Sequence, residues 1–141
     1  MSLPGPRDPL REAADRVGDR WTLLIVDALR RGPLRFGEVS EAVTDIAPNV
    51  LTKRLRQLEA DGLVSVTPYS ERPRRVSYEL TPDGAALRAA LNVLAEWGAR
   101  HTDGEGVETH ISCGTPIETR RWCPTCDVDI DNDADDASIL L

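Results

Sequence analysis

The sequence predicts a mainly α-helical domain with one small β-hairpin, followed by a short appendage that carries cysteine and histidine. Three observations carry this expectation. Apolar residues recur at helical spacing in successive segments up to about residue 61, and again after Pro82. Between residues 64 and 80 the spacing changes to strict alternation, the mark of half-buried strands. Beyond residue 101 glycines interrupt the pattern and the charge turns strongly acidic.

Leu10, Ala13, Ala14 and Val17 follow i, i+3, i+4, i+7 spacing and predict a short amphipathic first helix, broken at Gly18-Asp19. Trp21 to Arg31 is apolar on nearly every side, as expected of a central, buried second helix. Gly32-Pro33 ends it. A third helix is expected from about Arg35 to Val43, with Phe36, Val39 and Val43 inward. Thr44 to Ala47 is a tight connection. Pro48 suits the first turn of a fourth helix, where its missing N–H is not needed; that helix runs to about Asp61 and closes at Gly62. Val64–Thr67 and Val76–Leu80 alternate as strands, around a polar loop from Ser70 to Arg74. Thr81-Pro82-Asp83 reads as a cap, a first-turn proline and an acid near the positive helix end. It starts one long fifth helix that reaches about Arg100. Two short helices joined by a tight turn and followed by a β-hairpin make a winged helix-turn-helix. It is expected over residues 8–101. Residues 102–141 divide into a linker, a hairpin at 108–127 and an acidic tail.

The net charge of −7 is unevenly placed. Residues 1–101 hold 15 Arg+Lys against 14 Asp+Glu, and residues 102–141 hold 2 against 10. A near-neutral domain can still present a basic face, because the local field decides phosphate binding. No apolar run reaches the ~18 residues of a membrane span. Residues 1–9 do not resemble a signal peptide. The expected location is therefore the cytoplasm, with no membrane partner. Three cysteines, an odd number, argue against a secreted disulfide scaffold.

Four separated stretches then carry a resemblance over roughly residues 8–101. Val17-Gly-Asp-Arg-Trp-Thr-Leu-Leu-Ile25, Gly32-Pro-Leu-Arg-Phe-Gly-Glu38, Leu51 to Val64, and Tyr78-Glu-Leu-Thr-Pro-Asp-Gly84 look like HxlR-type regulators. These are winged-helix transcription factors related to the MarR group. The resemblance implies a homodimer on a roughly palindromic operator, with repression as the default mode. Many members carry a Cys-Pro near the start, and in some that cysteine senses oxidants or electrophiles. Here the matching pair is Asp8-Pro9, which excludes thiol sensing at that position.

On the fourth helix Leu51, Leu55 and Leu58 form one stripe, while Asn49, Lys53 and Arg56 lie opposite, flanked by Thr52 and Gln57. The outer face carries no acid before Glu59. Asn and Gln can pair bidentately with adenine and Lys and Arg with guanine, so Asn49, Thr52 and Lys53 are the expected base readers. Arg56 is expected on phosphate. Arg72, Arg74 and Arg75 crowd the hairpin tip, which can reach a minor groove or the backbone; Arg35 is a further phosphate contact. The partner so described is double-stranded DNA. Along the fifth helix two apolar rows run, Leu87/Leu91/Leu94 and Ala86/Ala90/Val93/Trp97. One row packs the domain; the second wants a partner, so a dimer interface is expected at Leu10, Leu91, Leu94 and Trp97.

In the appendage His110-x2-Cys113 and Cys123-x2-Cys126 are nine residues apart, the pattern of two knuckles offering four N/S ligands to a structural zinc. Cys123 and Cys126 could instead be a redox pair, or plain thiols. Asp129-x-Asp131-x-Asp133 is not a calcium loop, because Ala134 and Leu140 stand where the glycine and closing glutamate belong. Two other functions compete with DNA-binding regulation: a winged-helix protein-interaction module, which the acidic net charge would suit, and a redox-responsive regulator working through Cys123 and Cys126. An enzyme is excluded, since there is no phosphate loop or nucleophile motif and a closed zinc site leaves no position for water. Operator and small-molecule effector are not legible.

Overall fold

In the computed structural model, residues 8–103, 106 and 108–130 are described. The chain divides into two units, one up to Leu91 and one from Asn92 onward.

The first unit is organised around α2 (Arg20–Leu29), which follows α1 (Pro9–Val17). Asp8 caps α1, accepting from the Leu10 amide at 3.0 Å, with Pro9 in the first turn. Asp8-Pro9 is thus a helix start. No residue of α1 is buried, and Leu10 is 77% exposed. Ile25, Val26 and Leu29 of α2 are buried, but Leu24 is 43% exposed, so one side of this helix is uncovered, contrary to the all-round burial expected.

After Gly32-Pro33 comes β1 (Leu34–Arg35), too short for any periodicity to reveal. α3 (Phe36–Ala42) and α4 (Pro48–Ala60) follow, joined by residues 43–47, of which Val43 and Ile46 are buried. Leu51, Leu55 and Leu58 of α4 are each at most 1% exposed. They meet Val39, Leu63, Val64 and the α2 residues in one apolar cluster.

Gly62, at φ +72°, turns the chain out of α4 in a conformation that side chains disfavour. β2 (Val64–Glu71) and β3 (Arg74–Leu80) then form the wing, in a sheet ordered β1-β3-β2. The strands run further than expected. Glu71 lies opposite Arg74, so the connection is Arg72-Pro73 alone rather than a loop from Ser70. Alternation hides this because the register shifts between Pro68 and Ser70. β2 is an edge strand, where a proline without an N–H is tolerated and a bulge can absorb it.

The expected fifth helix is two: α5 (Pro82–Ala86) and α6 (Arg88–Ala99). Thr81 ties α5 down, its hydroxyl donating to the Gly62 carbonyl at 2.6 Å and accepting from the Gly84 amide at 3.1 Å. A Cβ on Gly84 would sit 2.1 Å from the Leu63 carbonyl oxygen, so α5 approaches that backbone as only glycine allows. At Leu87 the amide bonds to Gly84 at 3.2 Å, an i−3 partner, and the helical ladder restarts beyond it. Arg88 holds the start of α6, donating to the Arg30 carbonyl at 3.1 Å. Leu91, expected at a dimer interface, is 8% exposed and belongs to the domain's own core.

In the second unit α6 continues, with Val93, Leu94 and Trp97 exposed at 47, 49 and 56%. Trp97 meets His101 at 4.9 Å between ring centres. A bridge pairs Thr109 with Pro116, and β4 (Trp122–Cys123) pairs with β5 (Val128–Asp129). The Thr119 hydroxyl donates to Glu96 of α6 at 2.7 Å. The acidic run from residue 131 lies outside the described residues, as do residues 104, 105 and 107 of the linker. Among the described residues, no helix is long and apolar enough to cross a membrane.

Candidate nucleic-acid interface

α4 presents its outer face as a row. Asn49, Lys53 and Arg56 are exposed, spaced four and three residues apart, directly opposite the buried leucine stripe. Thr52 is only half-exposed, and its hydroxyl donates back to the Pro48 carbonyl at 2.9 Å. That proton is committed to the helix, so Thr52 offers an outside partner a lone pair and a methyl group. Gln57 is drawn towards the helix end by Asp61, 3.0 Å from its amide nitrogen.

The wing adds a second cationic element. Arg72, Arg74 and Arg75 are exposed at the β2–β3 tip. Among the described residues, none of Lys53, Arg56, Arg72, Arg74 and Arg75 is in an ion pair, whereas Arg16, Arg30, Arg54 and Arg120 are. Free cations on a helix face and a hairpin tip are what phosphate neutralisation needs.

Two arrangements escaped the sequence reading. Arg35 caps α3 through its backbone, its amide donating to Glu38 at 2.7 Å, while its guanidinium stacks 4.6 Å above the Tyr69 ring. The stacking holds Arg35 against the wing and leaves its N–H edge free to donate. Tyr69 is placed for this by the bulge in β2, which no local pattern reports.

The second concerns how α4 is aimed. Asp19 caps α2, accepting from the Trp21 amide at 3.0 Å, from the Thr22 amide at 3.2 Å, and from the Thr22 hydroxyl. The same carboxylate lies 3.4 Å from Arg54 Nε on α4; that nitrogen is buried and makes no aligned hydrogen bond. Burial alone would raise the Asp19 pKa. The Thr22 hydroxyl and amide, the Arg54 charge and the Trp21 amide outweigh it and hold it below the ordinary carboxylate value. Asp19 therefore fixes α2 and α4 together from one side chain. In sequence it reads only as a break between helices.

The appendage presents two donor pairs. His110 Nδ1 lies 3.4 Å from Cys113 Sγ, which is 3.3 Å from Thr115 Oγ1. The Thr115 hydroxyl and amide pull the Cys113 thiol below its ordinary pKa. Cys123 is also lowered, by the backbone amides of Cys126 and Thr125 and by the Cys126 thiol. Cys126 is raised by its hydrogen bond to Cys123 and by the charge there. All three cysteines are free thiols. Among the described residues no group of three or more His, Cys, Asp or Glu side chains gathers as a metal donor set; the four expected ligands form two pairs rather than one tetrad.

Comparison with known proteins accords with this geometry. Residues 16–105 match the family model of the HxlR-like helix-turn-helix. An HTH-type transcriptional regulator of Methanothermobacter thermautotrophicus is 38% identical over 86 residues, spanning 61% of this chain and 66% of that protein. Among solved structures, a transcriptional regulator of the MarR family from Enterococcus faecalis V583 is 38% identical with a TM-score of 0.59, covering 72% of this chain and 96% of that one. The reduced form of the redox regulator HypR is 32% identical with a TM-score of 0.64, covering 68% of this chain and 95% of that one.

Proposed function

The chain belongs to the HxlR-like helix-turn-helix family, whose members are transcriptional regulators and not enzymes, and from that premise we propose that it represses transcription as a homodimer on a roughly palindromic DNA operator. The observation that carries the DNA-binding part is the row Asn49, Lys53 and Arg56. It is exposed and, among the described residues, free of ion pairs on the face of α4 opposite the core.

In this reading α4 enters the major groove with Asn49 and Lys53, nearest its N-terminus, at the base edges. Arg56 and the stacked Arg35 take phosphates. Arg72, Arg74 and Arg75 carry the wing to the adjacent backbone or minor groove. Dimerisation through the exposed Val93, Leu94 and Trp97 of α6 would repeat the recognition helix about a two-fold axis, which is why the operator is palindromic. A bound dimer covering promoter DNA excludes polymerase.

The test is selection of bound duplexes from a random-sequence library, followed by transcription in vitro from a promoter containing the selected site. The expected result is an inverted repeat and a protein-dependent fall in transcript. Enrichment of no sequence, with no binding to duplex DNA even at low salt, would favour a protein-interaction module instead.

A further inference from the structure

On the wing the Tyr69 ring lies under the Arg35 guanidinium, with 4.6 Å from the guanidinium carbon to the ring centre, although β1 and β2 are not neighbours in the sheet. We infer that Tyr69 is a positioning residue for DNA binding: its ring holds the Arg35 guanidinium over the wing, on the side where Arg75 stands, so that both cations meet neighbouring phosphates as one patch. This rests on the DNA-binding reading and adds to it a coupling between the start of α3 and the wing.

The register explains how the two residues meet. Arg35 of β1 lies opposite Ser77 of β3, and Ser77 lies opposite Thr67 of β2. The Arg35 side chain therefore crosses β3 to reach β2, over two strand spacings that together separate the outer backbones by ~9–10 Å. Two local features permit the crossing. Ser77 is small, and its hydroxyl donates to the Thr67 carbonyl at 3.4 Å, which turns it down towards the β2 backbone. A long side chain there would stand in the path of the arginine. Tyr69 is the extra residue of the bulge: Pro68 pairs with Val76 and Ser70 with Arg75, so Tyr69 has no partner in β3. A bulge re-aims the side chain it inserts.

The stacked pair is open to an outside partner. Tyr69 is 44% exposed, Arg35 is exposed, and among the described residues Arg35 is in no ion pair. Glu38, close in sequence, accepts the Arg35 backbone amide at 2.7 Å. Stacking uses the flat face of a guanidinium and leaves the in-plane N–H groups that match phosphate oxygens. Alternation along β3 puts Arg75 on the same face of the sheet as Ser77, and hence as Arg35. Such diagonal neighbours stand ~7–8 Å apart. Two like charges at that range repel, and an untethered Arg35 would swing away from Arg75. The negative face of the tyrosine ring offsets the repulsion. An exposed arginine also loses rotamer freedom when it binds; one already held loses less, so affinity rises without a new contact to DNA.

The experiment is a double-mutant cycle on the full chain. Binding to a random-sequence duplex at several low salt concentrations is read by fluorescence anisotropy, and nitrogen NMR relaxation reports the order of Arg35 Nε in the free protein. Urea midpoints check that each variant is folded. Tyr69→Ala should weaken binding by roughly two- to tenfold, whereas Tyr69→Phe, which keeps the ring, should bind as wild type does. Arg35→Ala should weaken binding and lower the salt slope by ~0.9. Tyr69→Ala should leave that slope unchanged, because the charge is still present. In an Arg35→Ala background Tyr69→Ala should cost nothing further. In the free protein Tyr69→Ala, but not Tyr69→Phe, should make Arg35 Nε more mobile. Additive losses in the cycle would overturn the positioning role. So would an Arg35 Nε equally ordered without the ring, or a Tyr69→Phe variant as weak as Tyr69→Ala, which would put the tyrosine hydroxyl itself on DNA. Wild-type protein that binds no duplex, while Tyr69 still orders Arg35, would refute the DNA-binding reading and remove the phosphate from this one.

Discussion

Three residue types on the interface do separable work, and their variants should differ in kind. Lys53 lies in the N-terminal half of α4, where base contacts are proposed. Lys53→Ala should weaken binding to the selected operator by ~1–3 kcal/mol and relax specificity, with little effect on random DNA. The wing arginines are expected on the backbone. Arg74→Ala or Arg75→Ala should weaken binding to every sequence and lower the slope of log affinity against log salt by ~0.9 for each phosphate left without its arginine. Fluorescence anisotropy at several salt concentrations distinguishes these outcomes. Unchanged affinity in a Lys53/Arg74/Arg75 triple alanine variant would rule out this surface. Asp19 works through α2 and α4 instead. Asp19→Ala removes a helix cap and should cost ~0.5–2 kcal/mol of stability. The folded state lowers the Asp19 pKa, so it binds this proton less readily than the unfolded chain does. The stabilisation is complete above the ordinary carboxylate range and is lost as pH falls through the folded value. Urea unfolding from neutral to acidic pH should therefore show the gap between wild type and Asp19→Ala closing as the solution becomes acid. A constant gap would mean that the ionised carboxylate contributes nothing.

At the scale of elements, α5 is the joint between wing and α6. Its place depends on the contact between Gly84 and the Leu63 backbone, where a Cβ would meet carbonyl oxygen at 2.1 Å. Backbone cannot swing aside as a flexible side chain does. Gly84→Ala should thus cost ~1–3 kcal/mol, read as a lower urea midpoint, and should disturb the start of the wing as well. An unchanged midpoint would show that α5 can shift without consequence. Within the wing, the bulge at Pro68 and Ser70 places Tyr69 under Arg35.

At the scale of the whole molecule, two properties follow from surfaces the fold leaves open. Val93, Leu94 and Trp97 form a row on α6 that stays exposed among the described residues. Trp97→Glu should give monomers that bind half-sites weakly, seen by light scattering and anisotropy. Wild-type protein that stays monomeric at micromolar concentration would refute the α6 interface. The acidic run after Ile130 adds negative charge without compensating bases. Deleting residues 131–141 should tighten DNA binding at low ionic strength, with the difference vanishing as salt screens it. Equal affinities at low salt would mean that this charge is held away from DNA.

The sequence by itself determined the helical order, the hairpin, the leucine stripe of α4 and the basic face opposite it. Each rests on periodicity or on a local cap, which are short-range properties that neighbouring residues specify. In sequence Asp8-Pro9 is only the pair standing where a Cys-Pro is expected; its role as cap and first-turn proline of α1 comes from the structure. The tertiary structure alone decided the rest. β1 became a strand because β3 was there to pair with it, and the break at Leu87 follows α5 docking on Leu63. Which apolar residue of α6 turns inward depended on what lay beneath it, so Leu91 went to the core while Leu94 and Trp97 stayed outside. The pairings of Asp19 with Arg54 and of Arg35 with Tyr69 join residues 35 and 34 positions apart. No window of local sequence contains such a pair, and only the packing of helices and wing brings its members within reach.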